Sequence, residues 1–499
     1  MRLPVLPGGR LALAPALDVG AVVVLALVGL ALRLFDIGRE PLWLDEAGRV
    51  AIAELPLAEI AHGVQVVELS PPLYHYLLHA WLALAGGSDE SVRLLSAFLV
   101  IPAVPLAWSV GRAFGGRGTA LLVAMLCAVS PFAVHFGQEA AMYALLLPLA
   151  LLTLRAGVGV LHGSRASRPR WLAVYVAAGI AALYTHYYAA FLLASIGLVG
   201  AVHFGARRSA HGQVLWTGSH LLIGLLFLPW LSAFVAQARL AAAVDEWGGL
   251  EIGDAIARWA TALLADGATD WPGALAVALL CVGGAVGAWR LRHLPVLCAL
   301  AVTVMLVPLA LAIVASGSIH SFRERGFLAV AAGPWVLLAA AIIVGPRLGR
   351  LDVAVRAILA VVLLGATITG LQYHFADRKE DWRRAAGLVA ARADSAAPIF
   401  FIHFGSQIPF DRYFSGPQPR IGLPESFDWA DGYTARYRVT QVDIDRLVVP
   451  ALLGHSQAWV VLAHEGGRGS NLLLAELDRR GTRSVDRQLY GVRVVGYEL

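Results

Sequence analysis

The sequence predicts an α-helical polytopic membrane protein with about eleven transmembrane helices, followed by a small α/β domain at the C-terminus. Of its 499 residues, 58% are hydrophobic and 15% charged, with a mean hydropathy of +0.69; a soluble chain of this length carries roughly 25% charged residues. The apolar residues come in long runs, and a bilayer core of about 30 Å takes roughly 20 helical residues to cross. After residue 372 the composition changes: Arg, Asp and Gln become frequent and no further span follows.

Each run is expected to be a helix, because no water is available in the bilayer to satisfy an open backbone. The spans fall at 14–34, 91–113, 117–135, 138–156, 171–186, 187–206, 214–235, 272–289, 294–315, 326–345 and 351–371. The first run lacks an A-x-A-like cleavage site after it and reads as a retained signal anchor. Orientation follows from Arg. With a cytoplasmic N-terminus, the inner segments hold Arg2 and Arg10, Arg112 and Arg117, Arg165, Arg168 and Arg170, Arg207 and Arg208, Arg290 and Arg292, and Arg347 and Arg350. The outer turns near 135–138 and 186–188 hold none, as the positive-inside rule requires.

That distribution also accounts for the net charge of +5 and the isoelectric point near 9.2 without any nucleic acid. Lys379 is the sole lysine. Cys127, Cys281 and Cys298 all fall in apolar runs, where cysteine packs as a small hydrophobe. Neither a disulfide framework nor a thiolate metal site is visible.

Two domains are expected: a membrane domain over 1–371, with a long first outer loop at 36–90, and an extracytoplasmic domain over 372–499. In the latter, Pro398–Phe404, Ala458–Ala463 and Gly491–Glu498 read as strands and Asn471–Arg480 as a helix, an alternation that points to a small α/β fold. Gly466-Gly467-Arg468-Gly469 lacks the strand-to-helix spacing of a dinucleotide fingerprint and reads as a loop.

The residues able to carry chemistry gather on the predicted outer face. Asp45 and Glu46 are adjacent carboxylates where the first span leaves the bilayer. Neighbours on a helix point apart, so only one of them faces a given ligand; a bland reading pairs Asp45 with Arg49 one turn on. In Ser70-Pro71-Pro72-Leu73-Tyr74-His75, Ser70 is placed to cap a helix beginning at Pro71. Tyr74, Leu77, Leu78 and Trp81 then form the stripe of an amphipathic interfacial helix. His75 and His79, four apart, could share a metal but lack a third ligand. Glu139 and Tyr143 lie one turn apart near the outer surface, where an ionisable residue is functional by default. His186 and the pair Arg323 and Arg325 lie on the same side, and guanidinium geometry suits a phosphate. A carboxylate base with cations for a departing phosphate suits sugar transfer from a lipid-phosphate donor. A transporter places such groups at mid-depth in broken helices instead.

Several motifs together resemble the GT-C glycosyltransferases that use polyprenyl-phosphate sugars, near the protein O-mannosyltransferase and aminoarabinose transferase group (glycosyltransferase family 39-like). They are Leu42-Trp43-Leu44-Asp45-Glu46-Ala47, Pro71-Pro72-Leu73-Tyr74, Glu90-Ser91-Val92-Arg93-Leu94-Leu95-Ser96, Ser130-Pro131-Phe132 with Gln138-Glu139, Thr185-His186-Tyr187, and Lys379-Glu380-Asp381-Trp382-Arg383. The resemblance implies that Asp45 is the general base of an inverting transfer, with Glu46 its companion orienting substrate or a metal. It implies Arg93, Arg325 and His186 as ligands of the lipid phosphate. Tyr74, His75, His79, Glu139, Tyr143 and Arg323 complete the expected substrate-binding set. Two departures stand out: Ala141 where relatives carry Arg, and Arg325-Gly326 where they carry Arg-Tyr.

The expected function is transfer of a mannose- or arabinose-like sugar from a polyprenyl-phosphate donor to a lipid, glycan or protein acceptor. No metal ligands are assigned, and a divalent ion is left open as cofactor. A lipid-linked sugar flippase and a polysaccharide ligase are the alternatives. Richness in Ala, Gly and Arg places the chain in a bacterial plasma membrane, serving the cell envelope.

Overall fold

The computed structural model describes residues 13–243, 252–265, 271–319, 322, 324–346, 349–424, 439–463 and 468–499. In chain order the helices are α1 (Leu13–Leu34), α2 (Leu44–Ala53), α3 (Ile60–Val67), α4 (Leu73–Ala85), α5 (Asp89–Val100), α6 (Ala103–Val129), α7 (Pro131–Gln138), α8 (Tyr143–His162), α9 (Arg168–Leu183) and α10 (Ala189–Ala206). There follow α11 (Ala210–Phe227), α12 (Leu231–Ala243), α13 (Ile252–Ala265), α14 (Trp271–Leu291), α15 (Pro295–Ile319), α16 (Ala332–Ile343), α17 (Arg350–Ala376), α18 (Trp382–Arg392) and α19 (Gln407–Tyr413). The strands are β1 (Ile399–Ile402), β2 (Arg420–Gly422), β3 (Gln457–Ala463), β4 (Thr482–Gln488) and β5 (Val492–Glu498).

The chain forms two compact units. The helical unit comprises Met1–Phe35, Ser96–Leu231 and Trp247–Phe375; the sheet-bearing unit comprises Asp36–Leu95, Ser232–Glu246 and Ala376–Leu499.

In the helical unit, each predicted span has a helical counterpart. By length and apolarity alone, seven described helices can cross a membrane, or eight if the bent pair Glu324–Val330 and Ala332–Ile343 is one span. Large apolar side chains such as Leu221, Leu225, Val361 and Leu364 are exposed on α11 and α17, a surface suited to lipid. Gly115 and Gly116 break α6 between the second and third predicted spans. Gly116 sits at φ +82°, a backbone conformation that favours glycine. The boundary predicted at 138 lies later: the chain is extended at Glu139 and α8 begins at Tyr143. Helix α13, between the predicted spans 214–235 and 272–289, packs on α7 and α14.

In the sheet-bearing unit, five strands run in the order β2-β1-β3-β5-β4. Strand β1 is parallel to β2 and β3, and β5 is antiparallel to β3 and β4. Alternate residues of β3 point to opposite faces. Trp459, Val461 and Ala463 join a core with Trp382, Val389 and Phe410, while Ala458, Val460 and Leu462 join one with Phe400, Leu473 and Leu477. A helix over Arg468–Arg480 covers the expected Asn471–Arg480 stretch; Gly466 and Gly467 of the expected glycine loop lie outside the described residues. Edge strand β4 is polar, with Arg483, Asp486 and Arg487 along it, as an unpaired edge requires.

Ser70 does not cap α4. The helix starts at Leu73 with Pro72 as its N-cap, because a residue preceding proline is held out of the helical region and two consecutive prolines delay the first turn. Tyr74 and Leu78 of the expected stripe are fully buried, whereas Leu77 and Trp81 are half-buried.

Candidate active site

Helix α2 carries Asp45 and Glu46 in its first turn, where carboxylates are favoured by the helix dipole. The two diverge. The Asp45 side chain is 28% exposed and meets Arg49 Nη2 at 3.3 Å; Glu46 is fully buried. Arg49, itself buried, also pairs with Glu68 at 3.0 Å. The ion pair expected as a bland alternative for Asp45 therefore exists, and it leaves the carboxylate partly open.

Arg93 grips Glu46 through both oxygens, Nε to Oε1 at 2.8 Å and Nη2 to Oε2 at 2.6 Å. Its remaining N–H groups donate to the carbonyls of Ile37 (2.9 Å), Glu40 (2.8 Å) and Pro41 (3.0 Å). A guanidinium has five N–H donors, and all are used. Arg93, the residue expected to hold a phosphate, thus directs each N–H to an acceptor within the protein. The same contacts hold the buried Glu46 carboxylate within the protein. Lys379 Nζ adds a third contact to Glu46, at 3.3 Å, and lies 5.2 Å from the centre of the Trp43 ring.

On α4, Tyr74 and His75 are buried. Burial, then the nearby charge of Arg49, pulls the His75 pKa down to about 3, and neither ring nitrogen has a hydrogen-bond partner among the described residues. His79 Nδ1 lies 2.8 Å from the Ala53 carbonyl, at the last turn of α2. Its bond to that turn gives His79 a structural task. Among the described residues, no three His, Cys, Asp or Glu side chains form a metal-ligand group.

A second cluster lies within the helical unit. Glu139, 2% exposed, pairs with His135 at 3.4 Å, and the His135 and His374 rings are 5.0 Å apart. The Tyr143 ring is 5.3 Å from His186 and 5.9 Å from the Arg325 guanidinium. His186 Nδ1 accepts from the Tyr188 N–H at 3.1 Å. Glu139, Tyr143, His186 and Arg325 are thus gathered around α7 and the start of α8; Arg323 lies outside the described residues. The departure Arg325-Gly326 has a packing reason, since a Cβ at Gly326 would lie 2.4 Å from Tyr188 Cδ2.

Residues 70–232 match the family model described as dolichyl-phosphate-mannose-protein mannosyltransferase. Among solved structures, ArnT from Cupriavidus metallidurans in the apo state aligns over 96% of this chain and 98% of its own, with 17% identity and a TM-score of 0.62. The fold is that of the GT-C glycosyltransferases. The same ArnT bound to undecaprenyl phosphate aligns over 96% and 98%, with 16% identity and a TM-score of 0.56. The archaeal oligosaccharyltransferase AglB from Archaeoglobus fulgidus shares the GT-C fold at 12% identity and a TM-score of 0.53, over 91% of this chain and 70% of its own. No curated protein sequence matches.

Asp89, which accepts from Arg383 Nη2 at 2.6 Å and from the Tyr413 hydroxyl at 2.7 Å, and Tyr413 itself carry no signal in the sequence. Arg383 lies in the motif Lys379-Glu380-Asp381-Trp382-Arg383, but nothing local reveals that Asp89 meets it from 294 residues away.

Proposed function

We propose that the chain is an inverting glycosyltransferase that moves a mannose- or arabinose-like monosaccharide from a polyprenyl phosphate to an acceptor hydroxyl. The observation that carries this reading is the contrast within the Asp-Glu pair: Glu46 is buried and locked to Arg93, and Asp45, paired with Arg49, keeps 28% of its side chain exposed. The GT-C fold and the family-model match over 70–232 support the donor class.

In this mechanism Asp45 takes the proton of the acceptor hydroxyl as its oxygen attacks the anomeric carbon. The bond from that carbon to the phosphate oxygen breaks, and its electrons leave with the polyprenyl phosphate. Attack opposite the leaving group inverts the anomeric centre. The sugar–phosphate bond is already activated, so the protein has to supply only a base and charge stabilisation. Arg325, with Tyr143 beside it, is the cation the family resemblance assigns to a lipid phosphate. The acceptor is a lipid, glycan or protein at the outer face of the plasma membrane, an orientation supported by Arg placement.

The test is the purified protein in lipid with a panel of polyprenyl-phosphate sugars, following free polyprenyl phosphate by mass spectrometry and product anomer by NMR. The reading expects release from one monosaccharide donor and an inverted product. Release only from an oligosaccharide donor indicates a ligase; movement of donor across the bilayer without release indicates a flippase.

A further inference from the structure

Residues 37–43 lead into α2 and have no helix or strand of their own beyond a turn. Backbone polar groups outside a helix or sheet find other partners, and here side chains supply them. The carbonyls of Ile37, Glu40 and Pro41 accept from Arg93. Those of Gly38 and Arg39 accept from Arg383, at 3.1 and 3.0 Å. The N–H of the fully buried Leu42 donates to the Tyr413 hydroxyl at 2.8 Å. That hydroxyl in turn donates to Asp89 Oδ2 at 2.7 Å. Asp89 also receives Arg383 Nη2 at 2.6 Å and Arg412 Nε at 3.1 Å, and Arg412 reaches the Gly87 carbonyl.

The segment leading to Asp45 is therefore held at each residue from 37 to 42. Two of its three holders, Arg383 and Tyr413, come from the C-terminal residues that build the sheet. We propose that Arg383 and Tyr413 are positioning residues for transfer: they fix the backbone that aims Asp45, which makes the C-terminal domain part of the catalytic apparatus. The inference rests on the reading of Asp45 as the base. A base acts only within hydrogen-bond reach of the proton it takes, and a displacement of about 1 Å costs on the order of 100-fold in rate. Tyr413 is suited to the task because its ring packs beside α18 and its hydroxyl both accepts and donates.

The full-length protein in nanodiscs tests this, wild type against Tyr413→Phe, Arg383→Gln and Arg383→Lys. One readout is hydrogen–deuterium exchange of peptides over 37–46; the other is steady-state transfer. Tyr413→Phe is expected to raise exchange in 37–46 and lower kcat, each roughly tenfold, with KM for the lipid donor within about twofold. Arg383→Gln is expected to do more, and Arg383→Lys, which keeps the charge beside Asp89, less. Wild-type exchange in both Tyr413→Phe and Arg383→Gln overturns the proposal. Faster exchange with wild-type kcat overturns it as well, because the hold is then structural only. If Arg383→Gln does not fold, Tyr413→Phe, which keeps the ring, decides alone. Faster exchange and lower kcat together with full turnover in Asp45→Asn would leave the positioning intact and reject the base reading. Slow exchange with a dead Asp45→Asn would do the reverse.

Discussion

Glu46 and Arg93 form a two-pronged ion pair, both side chains less than 5% exposed, across 47 residues of sequence. Removing one partner of a buried pair leaves the other charge without compensation, at a cost of about 3–5 kcal/mol. Glu46→Gln is accordingly expected to lower thermal stability strongly, read as the unfolding midpoint in nanodiscs. The double variant Glu46→Gln with Arg93→Gln is expected to recover part of that loss, because the two sites are coupled. Additive losses would show that the pair is not the unit described.

His75 predicts a dependence of stability on pH. The folded chain keeps it neutral, with a pKa near 3 against an ordinary 6.5. Below about 6.5 the unfolded chain binds a proton that the folded chain refuses, so this residue's contribution to stability falls as pH drops toward about 3 and then levels off. The slope is about 1.4 kcal/mol per pH unit across that window. The difference in stability between wild type and His75→Gln is expected to shrink or reverse sign on acidification from pH 7 to pH 5. A difference that stays constant with pH contradicts a buried neutral His75.

Arg325 is expected to act on the donor phosphate. Arg325→Gln should raise KM for the lipid donor or lower kcat, for a combined loss in kcat/KM of roughly 100-fold, while Arg325→Lys keeps part of the activity. Wild-type kinetics in Arg325→Gln would remove this residue from the site.

Gly326 supplies a packing test in the same region. An added Cβ would meet the Tyr188 ring at 2.4 Å, and the Tyr188 N–H is the donor to His186. Overpacking of this kind costs about 1–3 kcal/mol. Gly326→Ala is expected to lower the melting temperature and shift the His186 ring, seen by NMR of labelled histidine; an unmoved ring would mean that Tyr188 yields freely.

The sequence made the membrane helices legible because each is a run of about 20 apolar residues, a signal that needs no tertiary context. Asp45 and Glu46 stood out for the same local reason, as paired charges at the end of such a run. The contacts that bury Glu46 were not legible, because they depend on Arg93 and Lys379 arriving from elsewhere in the chain. Strand β4 was invisible to hydropathy because an exposed edge is polar. The placement of Ser70 as a cap failed because two following prolines shift the helix start. The contacts of Tyr413 had no local signal at all: one hydroxyl stands between Leu42 and Asp89.

Asp45 as the base of sugar transfer is tested by comparing wild type with Asp45→Asn in nanodiscs, reading free polyprenyl phosphate by mass spectrometry in the presence of acceptor. The expected result is loss of release by a factor of about 100 to 10,000 with an unchanged melting temperature. Release at the wild-type rate from a folded Asp45→Asn protein would rule out Asp45 as that base.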